Sequence, residues 1–119
     1  MSNHHKINYV EFPSKDLPST KSFFLNAFGW SFEDYGPEYT AFTGEGLDGG
    51  FFKSDIAAQT SNGSALVVLY SENLEQSVQS VQDAGASVIK PIFSFPGGRR
   101  FHFQEPGGNE VAIWSDNDP

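Results

Sequence analysis

The chain has 119 residues, with 7 Lys+Arg against 15 Asp+Glu and a formal net charge of −8. That length makes one domain, and the acid excess argues against non-specific binding to nucleic acid or anionic membrane, which want basic faces. It has no Cys, which excludes disulfides, thiolate catalysis and Cys-type zinc sites, while 12 Phe supply a core.

The opening Met-Ser-Asn-His-His-Lys lacks a basic segment followed by an apolar one, so no signal peptide is expected. No apolar run is long enough for a spanning helix, and a soluble cytoplasmic protein is the expectation. Residues 7–12 alternate as a strand. Asp16-Leu17-Pro18 then reads as a helix start, with Asp as N-cap and Pro in the first turn. Leu17, Phe24, Ala27 and Phe28 fall on one helical face, and Gly29 supplies the stop. Residues 30–32, 39–43 and 49–53 read as short strands, punctuated by Gly36-Pro37, Gly44-Glu45-Gly46 and Gly49-Gly50.

Residues 65–70 form a second β-rich run. Asn73 caps a second helix, with Gln76 as a capping-box partner. Leu74, Val78, Val81 and Ala84 make its apolar face, and Gly85 ends it. Residues 87–89, 99–104 and 110–114 are further strand candidates, and Pro96-Gly97-Gly98 and Pro106-Gly107-Gly108-Asn109 are turns.

The halves superpose at an offset of 57 residues: Val10 meets Val67, Asp16 meets Asn73, Leu17 meets Leu74, and Ala27 meets Ala84. The order strand–helix–strand–strand–strand therefore occurs twice, in residues 7–53 and 65–115, joined by a linker at 54–64 rich in Ser, Ala, Gln and Asn. Neither half is large enough to bury its own sheet, so residues 1–119 form a single domain of two modules.

The stretches Tyr9-Val-Glu-Phe-Pro-Ser-Lys-Asp-Leu and Ser22-Phe-Phe-Leu-Asn-Ala-Phe-Gly-Trp, and the closing Phe103-Gln-Glu-Pro-Gly-Gly-Asn-Glu-Val-Ala-Ile-Trp, resemble the vicinal oxygen chelate superfamily. That superfamily groups glyoxalase I, the bleomycin-resistance proteins and the extradiol dioxygenases. The resemblance implies an α+β fold of two tandem βαβββ modules. Their sheets form an open, cup-like mixed surface with the helices on the convex side and a ligand on the concave side.

The resemblance also implies a divalent metal (Zn, Ni, Mn or Fe) held by His, Gln and Glu on the concave strands, where a substrate with two adjacent oxygens chelates it. Residue by residue, the ligand positions fall on Tyr9, Leu66 and Ala112, with Glu110 two residues before the last. Leu and Ala cannot ligate, and a phenol must first lose a proton of pKa ~10. No metal or other cofactor is expected. His4 and His5 precede the first strand and are read as a solvated pair. His102 is either a ligand-facing group or a strand His bonded to a neighbouring carboxylate or carbonyl.

Side chains alternate across strands. With Val10 and Phe12 under the helices, Tyr9, Glu11 and Pro13 face the cup. Leu66, Val68, Tyr70, Glu110, Ala112 and Trp114 face it from the second module, as do Arg100, His102 and Gln104. Tyr39, Phe93 and Phe95 add stacking surface. Glu11 is the candidate catalytic base or a binder of a ligand cation. Its structural alternatives are an ion pair with Arg99 or Arg100, or a solvent-facing position. The adjacent Arg99 and Arg100 point to opposite faces, so one of them can fork to a ligand carboxylate or phosphate. Gly49 and Gly50 signal a close approach or a bulge. The phosphate-loop, HExxH and dinucleotide patterns are missing.

Three functions fit. The first is a metal-free protein that binds a small molecule in the cleft, as in the bleomycin-resistance branch. The second is a glyoxalase-type lyase, isomerase or dioxygenase using a displaced ligand set such as His102, Glu11 and Glu110. The third is a non-catalytic interaction module. A homodimer is expected, with neither nucleic acid nor membrane as a partner.

Overall fold

The computed structural model describes residues 3–117. The first half runs β1 (Tyr9–Ser14), α1 (Leu17–Phe28), β2 (Glu33–Asp34), β3 (Tyr39–Glu45) and β4 (Leu47–Lys53). A 3₁₀ turn, Thr60–Asn62, lies between the halves. The second half runs β5 (Val67–Tyr70), α2 (Leu74–Asp83), β6 (Ser87–Phe95), β7 (Gly98–Gln104) and β8 (Glu110–Ser115). The two sheets have the same topology, β1-β4-β3-β2 and β5-β8-β7-β6. In each, the strand before the helix pairs parallel with the module's last strand, and the other pairs are antiparallel. This is the expected α+β architecture of repeated βαβββ units.

Both helices start on their expected caps. Asp16 Oδ1 accepts from Ser19 N at 3.1 Å, and Asn73 Oδ1 accepts from Gln76 N at 3.1 Å. The capping box itself is replaced: Asn73 N donates to Ser71 Oγ rather than to the Gln76 side chain. Gly29 ends α1 in the left-handed region at φ +77°, a conformation without a Cβ penalty only for glycine.

Three expectations are corrected. Residues 30–32 form no strand; the strand there is the two-residue β2. Trp30 instead fills the core, its ring 4.7 Å from Phe24 and 4.8 Å from Phe42. Second, β6 extends to Phe95 through Pro91 rather than stopping at residue 89. It is an edge strand, where a missing N–H is tolerated, and its register shifts around Lys90 to Phe93. Third, the buried face of α1 includes Phe23 as well as Phe24. Phe24 packs 5.4 Å from Phe51 of the first sheet, and Phe23 packs 5.5 Å from Phe103 of the second. The helix thus lies over both modules, and one core joins them.

A polar clasp ties the halves at one end. Glu105 is 1% exposed. Its Oε1 accepts from Thr20 Oγ1 at 2.9 Å and from Gly107 N, and its Oε2 accepts from Asn109 Nδ2 at 2.7 Å. Asn109 Nδ2 also donates to the Pro13 carbonyl, and Asn109 Oδ1 accepts from Ala58 N. Lys15 N adds a backbone bond to Gly107 O at 3.1 Å. A Cβ on Gly107 would collide with Thr20, Ser14 and Glu105, so the Pro-Gly-Gly-Asn turn needs glycine there for space.

Candidate functional site

Alternation along β7 sends Phe101 and Phe103 into the core and turns Arg100 and His102 to the opposite face of the sheet. Register then builds one row across the whole second sheet: Tyr70 opposite Trp114, Trp114 opposite Arg100, Arg100 opposite Phe93. The Arg100 guanidinium carbon lies 5.4 Å from the Phe93 ring centre and 5.8 Å from that of Phe95. Trp114 packs 5.2 Å from Tyr70 and 6.2 Å from Phe95. Asp116, beside the row, accepts the Tyr70 hydroxyl at 2.5 Å. That bond, followed by partial burial, raises the Tyr70 phenol above its ordinary value.

The next row holds Val68, Ala112, His102 and Lys90. His102 is 2% exposed. Its Nδ1 lies 2.7 Å from Glu110 Oε2, and Glu110 Oε1 accepts from Thr60 N and Oγ1 at 2.8 and 2.9 Å. Burial pushes the Glu110 carboxyl up, but the bonds from His102 and Thr60 outweigh it and hold the group below its ordinary value. The other ring nitrogen, Nε2, is buried without a hydrogen-bond partner. Thr60 had no signal in the sequence, because the bond depends on how the linker folds back.

The first sheet carries a different cluster. Tyr39 donates to Glu11 Oε2 at 2.9 Å and shares a 2.6 Å bond with the Tyr9 hydroxyl. Gly50 lies where a Cβ would strike the Tyr39 ring and hydroxyl, so the expected close approach at this glycine is made by Tyr39. Burial, then the bonds to Tyr9 and Glu11, push the Tyr39 phenol well above its ordinary range. Glu11 therefore bonds to Tyr39 and makes no ion pair with either Arg. Arg99 points to the convex side and forks onto Glu75 at 2.6 and 3.2 Å.

The expected site residues form two groups, Tyr9–Glu11–Tyr39 on one sheet and Tyr70–Trp114–Arg100–His102–Ala112 on the other. Leu66 lies just before β5 and is half-buried. The displaced set is not assembled: His102 and Glu110 bond to each other, and Glu11 sits on the other sheet. Among the described residues, no three His, Asp or Glu side chains converge as metal ligands do. The donor set does not fit the family's metal. An apolar cleft of about 210 Å³ also lies at the seam between the sheets, lined by Val10, Trp30, Leu47, Val67 and Val111 among others. Glu45 is the one charged side chain in its lining, fewer polar groups than usually orient a ligand. Among the described residues, no helix is long and apolar enough to cross a membrane.

Several solved structures share this fold. A glyoxalase/bleomycin resistance protein/dioxygenase family enzyme from Burkholderia phytofirmans PsJN superposes with a TM-score of 0.76 at 15% identity, covering 92% of this chain and 98% of that one. TnmS3, an antibiotic binding protein from Streptomyces sp. CB03234, gives 0.69 at 19% identity over 98% and 100%. Lactoylglutathione lyase from Agrobacterium tumefaciens gives 0.71 at 16% identity over 96% of each chain. No curated protein has a significantly matching sequence. The family model for the Glyoxalase/Bleomycin resistance protein/Dioxygenase superfamily matches residues 6–113. With the duplicated βαβββ topology, that match makes the chain a member of this superfamily.

Proposed function

We propose that the chain binds a small aromatic molecule on its concave face without a catalytic metal, as a homodimer in the cytoplasm. The observation that carries this reading is the row Tyr70–Trp114–Arg100–Phe93, an aromatic floor with one cation across four strands in register. Mostly apolar walls with a few placed polar groups are the make-up of small-molecule sites. The positions Tyr9, Leu66 and Ala112 offer no ligand set. The antibiotic-binding neighbour TnmS3 lends the reading support on the same fold. Glu11, held by Tyr39, is an orienting group on the facing sheet and the one candidate base.

The lyase reading has the neighbour from Agrobacterium tumefaciens in its favour. Elemental analysis separates the two. After chelator dialysis and reloading with Zn, Ni, Mn or Fe, the expected content is well below one equivalent per chain. A retained equivalent would overturn the metal-free reading.

A further inference from the structure

We infer that the concave site takes an aromatic carboxylic acid, with the carboxylate forked on Arg100 and the ring over Phe93, Phe95 and Trp114. This rests on the proposed binding function and specifies its ligand. In a chain of net charge −8, no acidic side chain among the described residues takes Arg100. Among the described residues the ion pairs are Lys21–Asp34, Arg99–Glu75 and His102–Glu110. Arg100 Nε is buried without a partner. The carboxylates of this half are bonded elsewhere: Asp116 to the Tyr70 hydroxyl, Glu110 to His102 and Thr60.

A half-buried guanidinium with no partner leaves its hydrogen-bonding capacity unused, and this is costly unless a ligand or water supplies an acceptor. Its planar fork matches the two oxygens of a carboxylate. The flanking rings already hold the guanidinium plane and leave aromatic faces for an attached flat ring. The next residue on this face, His102, holds a second buried polar atom without a partner, Nε2.

The experiment titrates 2-naphthoate and its neutral isostere 2-naphthamide by calorimetry into wild type, Arg100→Gln and Arg100→Lys. Circular dichroism checks each fold. Wild type should prefer the acid by about tenfold or more, Arg100→Gln should lose that preference, and Arg100→Lys should keep only part of it. Equal affinity for acid and amide in wild type, or a preference that survives Arg100→Gln, overturns the carboxylate assignment. If both compounds still bind and Trp114→Leu weakens both, the aromatic cleft stands without it. If neither compound binds, the cleft reading falls as well.

Discussion

Glu105 and Glu110 flank one tight turn, yet their environments push them in opposite directions. Burial raises Glu105, and the bonds from Gly107, Thr20 and Asn109 recover only part of that cost. Glu110 ends below its ordinary value because the bonds from His102 and Thr60 outweigh its burial. The linkage signs follow. A raised carboxyl adds nothing against folding while it is protonated in both states, and it costs stability as pH rises from the unfolded value through the folded one. A lowered carboxyl gives stability that is complete above the unfolded value and is lost as pH falls through the folded one. Urea unfolding of wild type against Glu110→Gln should therefore show a gap of about 1.5–3 kcal/mol at pH 7 that shrinks below about pH 4. For Glu105→Gln, the stability of wild type relative to the variant should decline over the same rise in pH. Parallel trends for the two variants would contradict the opposite shifts.

At the scale of elements, Gly50 decides whether the first sheet can hold its phenol cluster. A Cβ there would meet the Tyr39 side chain and stand 2.8 Å from the Thr40 carbonyl oxygen. Gly50→Ala should cost about 1–3 kcal/mol by overpacking and break the Tyr39–Glu11 bond, seen as a fall in the Tyr39 pKa by ultraviolet titration. An unchanged titration would show that the ring tolerates the methyl group. The repeat, both N-caps and the alternation of β7 and β8 were legible in the sequence, because capping and the two-residue period are local rules. What escaped it depended on distant partners. Trp30 looked like strand but is loop drawn into the core by Phe24 and Phe42. Phe23 lay off the helical face read for α1, since only the fold reveals that α1 covers two sheets. The pairing of Arg99 with Glu75, which leaves Arg100 over, was equally beyond alternation alone.

On the scale of the whole molecule, the two sheets leave apolar groups uncovered. Tyr9 is 45% exposed, Val68 40%, Tyr70 50% and Phe93 37%. Exposed apolar side chains of this kind fit the proposed ligand site, and the proposed homodimer is tested apart from it. Sedimentation at micromolar concentration is expected to give two 13.1 kDa chains per particle. A monomer at that concentration would refute the dimer and leave small-molecule binding untouched.

Two copies of one βαβββ unit, were they chemically identical, would present a ligand with two equivalent ways to lie. The side chains on the concave face remove that degeneracy. One sheet offers a carboxylate bonded by Tyr39, which in turn bonds Tyr9, and the other a guanidinium among aromatic rings with no acidic partner among the described residues. On the proposed binding function the site therefore has poles, and a ligand with unlike ends is expected to settle on it in one direction.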